Sequence, residues 1–170
     1  MIELLLLMLP MYIANTVPPI LAKIPLLKKL NMPMDLKFTF RKKRIFGSHK
    51  TWRGFIGGTI IATAFFLIQQ QTGFLQSTIN VPIYYGTLLA IGALLGDAIE
   101  SFAKRQLHYE PGKTLFFWDQ TDFVIGAMLL TFWIYWPGLL GFLFLLIFSA
   151  LVSLSAHTIG YFIGVNEKRT

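Results

Sequence analysis

No cysteine occurs among the 170 residues, which excludes disulfide bonds and thiol catalysis. Charge is scarce too: 14% of residues are charged against 55% hydrophobic, with a mean hydropathy of +0.60. That balance excludes a soluble domain with a water-facing surface. Charge is missing altogether from two connections between apolar runs, TGFLQSTINVP and WPG. Histidine is limited to three residues, none placed as a general base. His49 and His108 fall in loops, and His157, beside Ser155 and Thr158, reads as a satisfied polar contact within an apolar run.

What remains is long and greasy. Five runs, Ile2 to Ala22, Phe55 to Phe74, Ile83 to Phe102, Asp119 to Trp136 and Leu139 to Ile163, reach the roughly 20 residues that carry a helix across about 30 Å of hydrocarbon. An open strand would leave backbone groups unpaired in lipid, so helices are expected. The predicted fold is an all-α integral membrane protein, one domain over residues 1–170 with five transmembrane helices and hydrophilic loops at 23–54 and 103–118. The first run opens MIELLLL, with an acid rather than a basic segment, and reads as a retained span rather than a secretory signal. Its Pro10, Pro18 and Pro19 predict kinks or a break, and the Asn15 side chain is read either as hydrogen-bonding locally in the bent helix, the default for this residue type, or as facing a cavity.

All fifteen Lys and Arg residues fall in three places, ten from Lys23 to Arg53, then Lys104, Arg105 and Lys113, then Lys168 and Arg169. With five spans these lie on one side of the membrane. Retention of positive charge in the cytoplasm puts the N-terminus outside, the C-terminus inside and both long loops in the cytoplasm of a multi-pass cell-membrane protein. The net charge of +7 points to anionic lipid headgroups or a polyanionic small ligand, and nucleic acid is not expected as a partner.

Two clusters carry the chemistry. In FRKKRIFGSHKTWRGFIGG, Phe40 to Gly58, the segment Arg41 to Arg44 is read either as a topology determinant or as an anionic-lipid patch. GSHKTWRG differs: Gly47 and Gly54 permit close backbone approach, Lys50 and Arg53 supply charge, and Thr51 adds a hydroxyl at a helix start whose free amides attract anions. This fits a phosphate-binding loop, though not the GxxxxGK[ST] pattern. The second cluster begins at GDAIESFAKRQ, where Asp97 and Glu100 share a helical face with Ser101 and Lys104. WDQTDF then places Asp119 and Asp122 at the same spacing in the expected first turn of the fourth helix, where the helix dipole favours negative charge. Antiparallel packing would join the two acidic pairs, and four carboxylates together call for a hard divalent cation, Mg²⁺. Simpler readings compete: an interfacial salt bridge from Asp97 to Lys104 or Arg105, and Asp119 as a helix cap.

GDAIESFAKR resembles the GDLxESxxKR core of the CDP-diacylglycerol synthase family, membrane cytidylyltransferases acting on lipid phosphates, and PGKTLFFWDQTD resembles that family's PGHGGxxDRxD ending. Lys113 stands where the family has His, Gln120 where it has Arg, and Pro111 to Asp119 is one residue longer. Those departures, with GSHKTWRG, PMDL at Pro33 to Leu36, and Asn15 followed by Pro18, are similar to the archaeal branch of that family, the CDP-archaeol synthases. The resemblance implies condensation of CTP with an unsaturated archaetidic acid, an isoprenoid ether-lipid phosphate, to a CDP-lipid and pyrophosphate, with Mg²⁺ as cofactor and membrane lipid as a partner. A phosphate monoester ionises near pH 6, so the acceptor needs no protein base. On this reading Asp97, Asp119 and Asp122 hold metal with Glu100 as a further ligand, and Asp97, Lys104, Asp119 and Asp122 are catalytic. Lys50, Arg53, Lys104, Arg105 and Lys113 contact phosphates of CTP or lipid, and Thr51 and Ser101 add hydroxyl contacts.

Three rivals differ in outcome. A CTP-dependent polyprenol kinase would want a base for its alcohol acceptor. A CDP-alcohol phosphotransferase would show a DGxxAR segment, absent here. A cation-coupled transporter could use buried carboxylates, but these acids sit at one face of the membrane and leave the basic loops unused. The sequence is also compatible with a homodimer.

Overall fold

The computed structural model describes residues 1–73, 79–107, 109 and 118–162, with the side chains of residue 28 and of residues 156–162 outside that description. PGKT with its Lys113, His108 and the side chain of His157 therefore lie outside the described residues. Helices α1 (Ile2–Ala22), α2 (Trp52–Gln71), α3 (Tyr85–Gln106), α4 (Asp122–Thr131) and α5 (Gly138–Phe162) make the five-helix arrangement expected from the hydropathy. Four are long and apolar enough to cross a membrane, and α4 is not.

α1 stays helical through all three prolines, contrary to the expected break. Pro18 frees the carbonyl of Ala14, and α2 closes on it: a Cβ at Gly58 would stand 3.0 Å from that oxygen. α1 buries Leu4, Leu7, Met8 and Met11, a stripe at helical spacing, against Ala62 and Phe66 of α2 and Tyr85, Leu89 and Ala93 of α3. α2 begins three residues earlier than expected because Thr51 caps it, Oγ1 accepting from the Gly54 amide at 3.2 Å. α3 runs one turn beyond its predicted end and carries Lys104 and Arg105 in its last turn, where the dipole favours cations.

The expected span over 119–136 is corrected to a ten-residue helix, about 15 Å long, roughly half a bilayer core. At its start Trp118–Gln120 forms a 3₁₀ turn and the chain bends at Thr121 before α4 begins. At its end the chain leaves helical geometry before Pro137, which disfavours helix in the residue preceding it. α4 compensates for its length by close packing on α3. A Cβ on Gly92 would come 2.6 Å from the Gly126 carbonyl, and one on Gly126 would come 2.7 Å from Gly96 Cα. α5 is joined to α1 by the Tyr12 hydroxyl and Ser149 Oγ, 2.7 Å apart.

The long loop after α1 is structured. A 3₁₀ segment, Pro25–Leu30, is followed by a hairpin of β1 (Thr39–Phe40) and β2 (Lys43–Arg44), paired Thr39 with Arg44 and Phe40 with Lys43. Arg41 and Lys42 between them both have positive φ, the requirement of a two-residue turn that matches strand twist. Residues 32–34 pair with 50–52 through Met34 N to Lys50 O and Trp52 N to Met32 O, each 2.9 Å. Asp35 ties the rest. Its fully buried carboxylate accepts from Arg44 at 2.5 and 3.2 Å and from the amides of Lys37, Phe46 and Gly47 at 3.0 to 3.2 Å. Burial alone would raise its pKa, but Arg44 and the three amides outweigh it and hold the carboxyl below its usual value.

Candidate active site

Three of the four predicted carboxylates converge. Asp97 and Glu100 project from adjacent turns of α3, Asp122 opens α4, and one oxygen from each lies within 4.8 Å of the others. The spacing is set by glycine: Gly96 brings the α3 backbone against the Asp122 carbonyl, closer than any side chain would allow. Asp122 is buried, and Asp97 and Glu100 are half-buried. Its Oδ1 accepts from the Phe123 amide at 2.7 Å, which leaves the second oxygen for the cluster.

Asp119 is the exception. The bend at Thr121 takes it off the helical face it was expected to share with Asp122, and it pairs with Lys104 Nζ at 2.6 Å. Lys104 also holds Glu100 at 2.6 Å. Asp119 thus stands at the edge of the cluster, beside both Lys104 and Glu100, and outside the three mutually close carboxylates. Lys50 reaches from the loop after α1 to form an ion pair with Asp97. An ammonium thus already stands beside the cluster, and three oxygen donors of this kind suit a hard divalent cation such as Mg²⁺.

The cluster lies between two hollows. On one side a polar cavity of about 580 Å³ opens among α1, α2, α3 and the structured loop, with Lys50, Thr51, Arg53, His49, Asn15 and Asp97 in its wall. Asn15 lines this cavity, the second of its two expected placements, in place of the default of local bonding. On the other side an apolar groove of about 350 Å³ runs between α3 and α4. Ile99, Ala103, Trp118, Ile125 and Leu129 line it, and Glu100 and Asp122 also border it.

The phosphate-binding expectations divide. Lys50, Thr51 and Arg53 all line the polar cavity, although Thr51 also caps α2 and Arg53 donates to Leu27 O at 3.0 Å and Asn31 Oδ1 at 3.2 Å. Arg105 lines neither hollow: it donates to Tyr109 O at 3.0 Å and its Nε packs on Gly47. Ser101 is buried and lines neither hollow. Lys113 lies outside the described residues. Sequence reasoning missed Asn31 and Lys23 in the cavity wall and the organising role of Asp35. A lone acid among ten basic residues was the available clue to Asp35.

Comparison with known proteins follows the same lines. The profile of the CarS-like family, CDP-archaeol synthase, matches residues 1–169. The CDP-archaeol synthase of Pyrococcus furiosus is 35% identical over 154 residues, covering 90% of this chain and 88% of that one. The CDP-archaeol synthase of Methanoculleus marisnigri is 34% identical, covering 94% and 98%. A solved structure described as an intramembrane enzyme for archaeal membrane lipid biosynthesis superposes with a TM-score of 0.73 at 27% identity, covering 89% of this chain and 90% of that one.

Proposed function

Since the chain belongs to the CDP-archaeol synthase family, and is thereby a membrane cytidylyltransferase acting from CTP on a lipid phosphate, we propose a specific division of its two hollows. The polar cavity takes CTP, the apolar groove takes the lipid acceptor, and the carboxylate cluster between them is where the two phosphates meet. The acceptor is an unsaturated archaetidic acid, and the products are the CDP-lipid and pyrophosphate. The observation that carries this reading is the position of Asp97, Glu100 and Asp122 between a cationic cavity and an apolar groove.

Lys50 and Arg53 supply positive charge to the triphosphate, and the start of α2 adds its dipole. The lipid phosphate, largely ionised at neutral pH, attacks the α-phosphorus in line, the bond to the β-phosphate bridging oxygen breaks, and pyrophosphate leaves with that electron pair. No protein base is required. Asp97, Glu100 and Asp122 would hold Mg²⁺, which when bound neutralises charge accumulating on the phosphates. Lys104 holds Glu100 and Asp119 in place, and Lys50 exchanges Asp97 for phosphate as the nucleotide enters. Both basic loops and the site face the cytoplasm, where CTP is present, with the N-terminus outside. Lipid tails stay in the bilayer while the headgroup reaches the cluster along α3 and α4.

Ala103 is exposed in the groove and remote from the polar cavity, so Ala103→Trp blocks one hollow alone. Its KM for the lipid phosphate is expected to rise by about tenfold, with the KM for CTP unchanged. A rise in the KM for CTP, or no change in either, would place the acceptor elsewhere.

A further inference from the structure

A third hollow, of about 490 Å³, lies on the outer side of α1 and α2 beneath the 3₁₀ segment Pro25–Leu30. Ile56 and Ile60 follow Arg53 at i+3 and i+7, one stripe of α2 descending into the bilayer, with Leu30 and Met32 overhanging it from the loop. Those four apolar residues are between 51% and 61% exposed among the described residues. Lys29 and Arg53 complete the wall at the loop end, and no acidic residue lines it among the described residues. Arg53 Nε is buried without a hydrogen-bond partner.

We propose that this hollow is a binding site for an anionic phospholipid of the surrounding leaflet, separate from the site of the lipid acceptor. The apolar stripe accepts one chain and Lys29 faces the phosphate, with the charge of Arg53 behind it in the wall, a charge complementarity that a plain lipid-facing surface lacks. Arg53 also lines the polar cavity and bonds Leu27 O and Asn31, so the bound headgroup bears on the wall of the nucleotide site from outside. The loop that carries Lys50 is thereby seated on the membrane at its apolar end.

Trp52 lines the hollow and reports on it directly. The full chain is placed in phosphatidylcholine nanodiscs containing a small, equal fraction of brominated phosphatidylglycerol or brominated phosphatidylcholine. The emission of Trp52 is taken as the difference between the parent protein and Trp52→Phe, whose remaining tryptophans report folding. The brominated anionic lipid is expected to quench that emission at several-fold lower mole fraction than the neutral one. Lys29→Gln is expected to reduce this preference about fivefold, the effect of one basic side chain near an anionic headgroup. Equal quenching by the two lipids, or an unchanged preference in Lys29→Gln, would overturn the site. Neither readout depends on CTP turnover, so the lipid site and the cytidylyltransferase reading fail separately.

Discussion

Asp97→Asn is expected to lower kcat by about a thousandfold, equivalent to roughly 4 kcal/mol of transition-state stabilisation, while the purified protein remains folded. Asp97 is the only member of the cluster that lines the polar cavity, and its partner Lys50 lines the same wall. Loss of its charge removes one of three close oxygen donors and releases Lys50 at once. The Asn side chain is isosteric, so packing against Gly96 and Asp122 is not disturbed. Asp119→Asn is the informative contrast. Asp119 stands outside the three close carboxylates and orients Lys104 and Glu100 from the cluster's edge, so a loss nearer tenfold is expected, as for groups that orient metal ligands. Steady-state rates for the two variants at saturating Mg²⁺ separate the cases. Equal losses would return Asp119 to the metal-binding set.

Gly126→Ala is expected to destabilise the protein by about 3 kcal/mol or more, the upper end of overpacking, and to abolish activity with it. The added Cβ would meet Gly92 O, Gly96 Cα at 2.7 Å and Gly96 N at 2.8 Å. All three are backbone atoms of α3, so no side chain can turn away, and relief requires the helices to separate. Separation moves Asp122 from Asp97 and Glu100, since the same contact sets their distance. Gly57→Ala is the control, because its Cβ meets only the flexible side chain of Leu21. Thermal unfolding followed by tryptophan emission should show a large drop for the first and a small one for the second. A Gly126→Ala protein with unchanged melting and turnover would contradict the role given to this glycine contact.

Much of this architecture was readable from residue order. Continuous apolar runs set the number of helices, and i,i+3 spacing put Asp97 and Glu100 on one face of α3 whatever the packing. The errors arise where helix length and caps decide. The run from Asp119 to Trp136 is apolar enough for a span, but hydropathy does not show that Thr121 bends the chain or that Pro137 disfavours helix just before it. That bend takes Asp119 off the face of Asp122 and sets it beside Lys104 and Glu100. Asn15 left two readings open for another reason. Pro10 and Pro18 flank it in sequence and suggest local repair, whereas its surroundings are set by Gly54 and Leu94 from other helices. Asp35 belongs to the same class. Five donors from four residues between 37 and 47 converge on it only once the hairpin forms.

The functional assignment rests on which bond of the nucleotide is broken. The direct measurement follows label from CTP carrying ³²P at the α or the γ position into lipid, with purified protein, Mg²⁺ and archaetidic acid or a polyprenol. Transfer of α label to archaetidic acid, with γ label released as pyrophosphate, is the predicted result. Transfer of γ label to polyprenol would make the protein a kinase, and no lipid label from either position would contradict the cytidylyltransferase account.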